Sequence, residues 1–107
     1  MEIKKRKARS DRRHIVYQIT CTKTRQIYIG ITVGWRLKDL RVRIQKHVWR
    51  ALNEAKGWPL CNSIERHGPE AHEYEIVAIV RGKAEAHMLE RELISELKPK
   101  LNRTGVR

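Results

Sequence analysis

The residues best placed to do chemistry in this sequence are those that stand against the packing pattern around them. Ala86, Leu89, Leu93 and Leu97 recur at spacings of three and four, as the buried stripe of a helix does. At about 100° per residue, Glu90 falls between Leu97 and Ile94 on that same side. A carboxylate turned toward an interior costs several kcal/mol unless it opens on a cleft, pairs with a cation or binds a metal. Two readings follow: a structural ion pair with one of the many arginines, or a metal ligand. Glu85, Glu92 and Glu96 lie toward the flanks or the wet face.

A second set lies on an earlier helical stretch. Arg36, Arg43, His47 and Arg50 share one line at spacings of seven, four and three, about a right angle from the centre of the apolar stripe. There they are the solvated face of a basic helix or the rim of a cleft. At a rim, arginine offers a fork of donors matched to phosphate oxygens, and histidine exchanges a proton near neutral pH. Tyr17 and Tyr28, two of the three tyrosines, fall in β-rich stretches where packing alone would account for them. Gly30 is less ordinary, because glycine weakens a strand and often marks the close approach of a ligand or backbone.

The elements that must carry these residues can be read from periodicity. His14 to Thr20 and Gln26 to Thr32 are rich in Ile, Val, Tyr and Thr, and predict a hairpin, although its loop lacks the Gly or Asn that favours tight turns. Arg36 to Ala55 repeats Leu37, Leu40, Ile44, Val48, Ala51 and Ala55 at helical spacing. Pro59 and Gly68 bracket a short helix from Leu60 to His67. Tyr74 to Val80 predicts a third strand buried on at least one face, and Ala84 to Leu97 a last helix that stops before Pro99. The order β-β-α-α-β-α predicts an α+β domain: a small three-stranded antiparallel sheet flanked by helices.

With 107 residues the chain suits one domain, spanning 14–107 after a basic flexible arm at 1–13 that holds seven Lys and Arg. The arm reads equally as a solubilising tail or a phosphate grip. The formal net charge is +12, from 24 Lys and Arg against 12 Asp and Glu, which points to a polyanion as the main ligand. No apolar run approaches the roughly 20 residues that cross a bilayer, and no signal or lipidation motif is seen, so a cytoplasmic protein without membrane partners is expected. Cys21 and Cys61 have no CxxC partner and read as free thiols; Cys61, His67, His72 and His87 follow no usual zinc spacing.

Together these residues resemble the GIY-YIG nuclease superfamily from about His14 to Asn102. Tyr28-Ile29-Gly30 matches the second half of its signature, and Ile15-Val16-Tyr17 stands for the first, keeping the tyrosine but not the glycine. Tyr28 follows Tyr17 by eleven residues, as is common in the family. Arg43 and His47 match its Arg-x-x-x-His helix, Asn62 to Pro69 its short helix and glycine turn, and Glu90 to Ile94, Pro99 and Asn102 its carboxylate helix and terminal asparagine. Counting back from Asn102, with the Ile four residues on, selects Glu90, with Glu92 as the alternative. The stretch from Gly30 to Arg43 is longer than in many relatives, which leaves Arg36 or Arg41 open for the phosphate-binding role.

The resemblance implies a metal-dependent DNA endonuclease with catalytic residues Tyr17, Tyr28, Arg43, His47, Glu90 and Asn102. Glu90 would hold one Mg²⁺ (or Mn²⁺), with waters and phosphate oxygens completing its shell. Tyr17 would deprotonate or orient the attacking water, with Tyr28 and His47 tuning or sharing that role. Arg43 would grip the scissile phosphate, and Asn102 would brace the site. Arg36, Arg41, Lys46 and Arg50 are the expected further DNA contacts. No small-molecule cofactor is expected, and the protein would act as a monomer or homodimer, of phage or homing, restriction or repair type. The rivals are a catalytically inactive nucleic-acid-binding module and a basic RNA-binding protein associated with the ribosome, either of which would bind without metal and without cleavage.

Overall fold

A computed structural model describes residues 12–54 and 57–102. Residues 1–11 of the expected basic arm, and Ala55, expected in the first helix, lie outside the described residues, while Arg13, the last residue of that arm, opens the first strand. The two tyrosine-bearing stretches form β1 (Arg13–Cys21) and β2 (Ile27–Val33), and the third strand is β3 (His72–Arg81). They assemble as an antiparallel sheet in the order β2-β1-β3. The central strand is therefore paired along both edges, and the full burial of consecutive Ile15, Val16 and Tyr17, and of Cys21, shows that both of its faces are covered. Each such aliphatic side chain stabilises the fold by about 1.5–3 kcal/mol.

The hairpin loop solves its missing glycine by placing Arg25 in the left-handed region at φ 67°. That costs roughly 1–2 kcal/mol, offset by hydrogen bonds from Arg25 N to Cys21 O and from Cys21 N to Gln26 O. The register then pairs Tyr17 with Gly30 and Ile19 with Tyr28, so both tyrosines stand on one face of the sheet. An irregularity in the β1–β3 pairing between Val16 and Tyr17 adjusts the strand beside Tyr17.

Helices α1 (Leu37–Asn53) and α2 (Pro59–His67) pack on that face, and α3 (Lys83–Leu97) lies against β1 and β2. Leu40 seals Ile15 and Tyr17, while Ala51, Leu60, Cys61, Ile64 and Leu101 close over Ile19 and Cys21. Both cysteines are thus buried free thiols. Pro59 opens α2 and Gly68, at φ 90°, ends it, as their positions predict.

Two expectations about packing need correcting. Leu37 and Leu97, read as core, are 47% and 44% exposed. Leu37 is the first residue of α1 and Leu97 the last of α3, and these helix ends stay exposed. In β3 the residues alternate, Val77 and Ile79 on the exposed face and Tyr74 and Ile76 packed against the core, a strand covered on one face as expected. The elements otherwise match the expected order, shifted by one or two residues.

Candidate active site

Tyr17, on the central strand, is fully buried, and its Oη lies 2.8 Å from His47 Nε2. His47 reaches it from α1, whose buried line is Leu40, His47 and Ala51. The cationic line of α1 is thus turned further inward than a right angle implies: His47 is core, Arg43 and Arg50 are half-buried, and Arg36 stays exposed. Tyr28 completes the cluster, with its ring edge-on to His47 at 5.3 Å and tilted against Tyr17 at 6.1 Å.

Gly30 makes this convergence possible. A Cβ on Gly30 would lie 2.7 Å from both Tyr17 Oη and Tyr28 Cε2, inside the rings' own volume. The loss of strand propensity at this glycine is therefore the condition for two aromatic rings to lie across the strand.

The electrostatics keep the cluster uncharged near neutral pH. Burial, then the neighbouring guanidinium groups of Arg43 and Arg50, hold His47 down to about 4. Burial, then Tyr28, pushes the Tyr17 phenol well above its ordinary range against the opposing pull of Arg43. Burial likewise raises Tyr28, again opposed by Arg43. A neutral phenol and a neutral imidazole thus share one hydrogen bond. With the ring proton on Nδ1, the Tyr17 hydroxyl donates to Nε2; in the other tautomer it accepts.

Arg43, one turn before His47, carries the unresolved group: its Nε is buried and has no hydrogen-bond partner. A buried guanidinium nitrogen left unpaired is costly, and an incoming oxygen ligand would satisfy it.

Glu90 projects from α3 as a half-buried carboxylate, 3.5 Å from His87 Nδ1 one turn earlier. Its close contact among the described residues is therefore a histidine, an ion pair only when His87 carries a proton, and not the arginine one reading anticipated. Burial raises the Glu90 carboxyl, opposed by His87, and its charge is felt at Tyr28. His87 was overlooked as a partner, although the i, i+3 spacing His87-Met88-Leu89-Glu90 carries the signal. Among the described residues no three His, Cys, Asp or Glu side chains gather into a metal cage. His72 has both ring nitrogens engaged, by Ser63 Oγ at 2.7 Å and Gly68 O at 2.8 Å.

Asn102 does not enter the ring cluster. It reaches β2 from 73 residues away, accepting from Ile29 N and donating to Ile29 O, each at 2.8 Å. These are the main-chain groups between Tyr28 and Gly30 on a strand that lacks a neighbour on that side. The side chain thus acts as a one-residue strand, joined by the Leu101 N to Ile27 O bond. Arg41 and Lys46 are exposed on α1, away from the cluster, and Arg36 caps that helix beside Asp39.

The family model for the GIY-YIG catalytic domain matches residues 13–102. Among solved structures, a mutant form of the catalytic domain of intron endonuclease I-TevI is similar, with a TM-score of 0.68 and 24% identity over 84% of this chain and 89% of that one. At that identity the likeness establishes the fold. Comparison with curated proteins gives no match.

Proposed function

This chain belongs to the GIY-YIG catalytic domain family, whose members are nucleases of the endonuclease kind acting on DNA, and we propose that it is itself a metal-dependent DNA endonuclease. The observation that carries the proposal is the juxtaposition of the Tyr17–His47 hydrogen bond with the unpaired, buried Nε of Arg43. One supplies a route for a proton and the other an unsatisfied donor on a guanidinium suited to a phosphate oxygen.

In this reading Arg43 takes a non-bridging oxygen of the scissile phosphate and fixes it against Tyr17. The phenol cannot be a free phenolate at neutral pH, so it works as a relay. As a water oxygen attacks phosphorus and the bond to the leaving sugar oxygen breaks, the water's proton passes to Tyr17 Oη while the Tyr17 proton passes to His47 Nε2, and the departing oxygen takes a proton from solvent. Tyr28 packs against both rings and shapes the pair. Asn102 serves by pinning β2 at Ile29, which sets Tyr28 and Gly30.

Glu90 fits one divalent cation. Its carboxyl is disfavoured as an anion by burial, and a cation would reverse that; a metal that retains most of its waters, such as Mg²⁺ or Mn²⁺, needs no more than one carboxylate. When bound, such a cation supplies positive charge to the phosphate and the leaving oxygen. Arg36, Arg41, Lys46 and Arg50 are read as contacts to flanking phosphates. No helix among the described residues is long and apolar enough to cross a membrane, and we read the site of action as the cytoplasm, with the protein a monomer or homodimer.

Conversion of supercoiled plasmid to nicked circles tests this reading. Nicking with Mg²⁺ or Mn²⁺ that stops in EDTA supports it. Tight DNA binding without cleavage, across linear, branched and single-stranded substrates, would instead make the chain a binding module on the nuclease fold.

A further inference from the structure

Away from the tyrosine cluster, Trp35 stands on the link between β2 and α1 with 49% of its surface exposed. Two guanidinium groups lie over its indole, Arg36 at 5.1 Å and Arg13 at 5.6 Å from the ring centroid. The backbone builds this arrangement. Gly34 turns at φ +143° and donates to Arg13 O at 2.9 Å, which brings the start of β1 beside Trp35. Asp39 Oδ2 then accepts from Trp35 N at 3.1 Å and Arg36 N at 3.2 Å, fixing the main chain of both. Arg12, Arg13, Val33 and Trp35 line a groove of about 480 Å³ at this point.

Three arginines gathered here repel one another. The counter-charge among the described residues is Asp39, whose carboxylate is 3.8 Å from Arg36 and already occupied by two amides. Stacking on an indole holds a guanidinium in place while leaving its N–H fork free for an oxyanion. A tryptophan that orders two forks around a groove is thus a scaffold for binding phosphate.

We propose that Arg13 and Arg36, held by Trp35, form a phosphate clamp on the DNA backbone, a deepening that rests on the DNA-endonuclease reading above. Arg36 and Arg43 are two turns apart on one side of α1, about 10 Å along the helix axis. The clamp would therefore grip a flanking phosphate and not the one held by Arg43. It fixes where the cut falls relative to the backbone without reading bases.

Binding of the full chain to short duplexes of two unrelated sequences, followed by fluorescence anisotropy in EDTA at several salt concentrations, tests the clamp. Each phosphate neutralised adds about 0.9 to the slope of log affinity against log salt. Replacing both arginines (Arg13→Gln with Arg36→Gln) is expected to lower the slope by roughly two phosphates' worth, about 1.8. Trp35→Ala and Trp35→Leu remove no charge, yet are expected to lower it by about one phosphate's worth, about 0.9, equally on both sequences. Circular dichroism checks that each variant is folded.

If the tryptophan variants lose affinity at an unchanged slope, the indole stacks on bases and the clamp is wrong; unchanged affinity overturns it as well. A wild-type chain that binds and nicks DNA while all three variants match it overturns the clamp alone. Failure of the wild type to bind DNA removes the endonuclease reading and the clamp together.

Discussion

Tyr17 and His47, thirty positions apart, meet at 2.8 Å between Oη and Nε2 with both side chains buried. Because burial disfavours phenolate and imidazolium alike, the pair rests neutral, ready to pass a proton and not to hold one.

Tyr17→Phe removes the relay oxygen and leaves the ring. Cleavage under single-turnover conditions is expected to fall by about 10²- to 10⁴-fold, with DNA affinity unchanged. A Phe variant that cuts at the wild-type rate would dismiss Tyr17 from the chemistry.

The depressed His47 has a signature in stability. An unfolded chain takes up the imidazole proton near its ordinary 6.5, whereas the folded one resists until about 4. The unfolded state therefore binds more protons between those values, and stability falls as the pH drops through that window. The loss is on the order of 3 kcal/mol. Glu90, raised by burial, opposes it at the acid end. Urea unfolding at pH 7 and pH 5 should show the decline in wild type and a shallower one in His47→Gln; parallel curves would contradict the burial argument.

Gly30→Ala puts a methyl where Tyr17 Oη and Tyr28 Cε2 stand, 2.7 Å from each. The rings must shift, so a destabilisation of about 1–3 kcal/mol and at least a tenfold loss of cleavage are expected. Wild-type denaturation midpoints and rates together would show that the strand has room there.

The fold was legible because periodicity changes cleanly along the chain. Stretches rich in Ile, Val, Tyr and Thr, then three- and four-spaced Leu, Ile and Ala, separate strands from helices even without a strong turn signal. Residue type also marked Glu90, a carboxylate on an apolar stripe, whereas strand packing and a solvated helix face account for Tyr17 and His47 by themselves, and it is the family resemblance that singles those two out. Long-range pairing was not legible. Nothing near Asn102 indicates that it bonds Ile29, and nothing near Trp35 indicates that the sheet register carries Arg13 onto it. The exposure of Leu37 and Leu97 at the helix ends is a tertiary property that helical periodicity does not contain.

Asn102→Ala would leave Ile29 N–H and C=O without their partner. Thermal unfolding should show a loss of about 1–3 kcal/mol, with a parallel fall in cleavage as β2 loosens. Asn102→Asp, which keeps the acceptor and loses the donor, should fall between the two. Full stability in the Ala variant would mean that water replaces the side chain.

The central claim is tested most directly by titrating Mg²⁺ into a plasmid-nicking assay with wild type and Glu90→Gln side by side, having confirmed that both fold and bind DNA. The account predicts saturable, EDTA-sensitive nicking by the wild type and a loss of at least a hundredfold in the variant at every metal concentration. Nicking by Glu90→Gln at the wild-type rate and metal dependence would contradict Glu90 as the metal-holding carboxylate and the mechanism built on it.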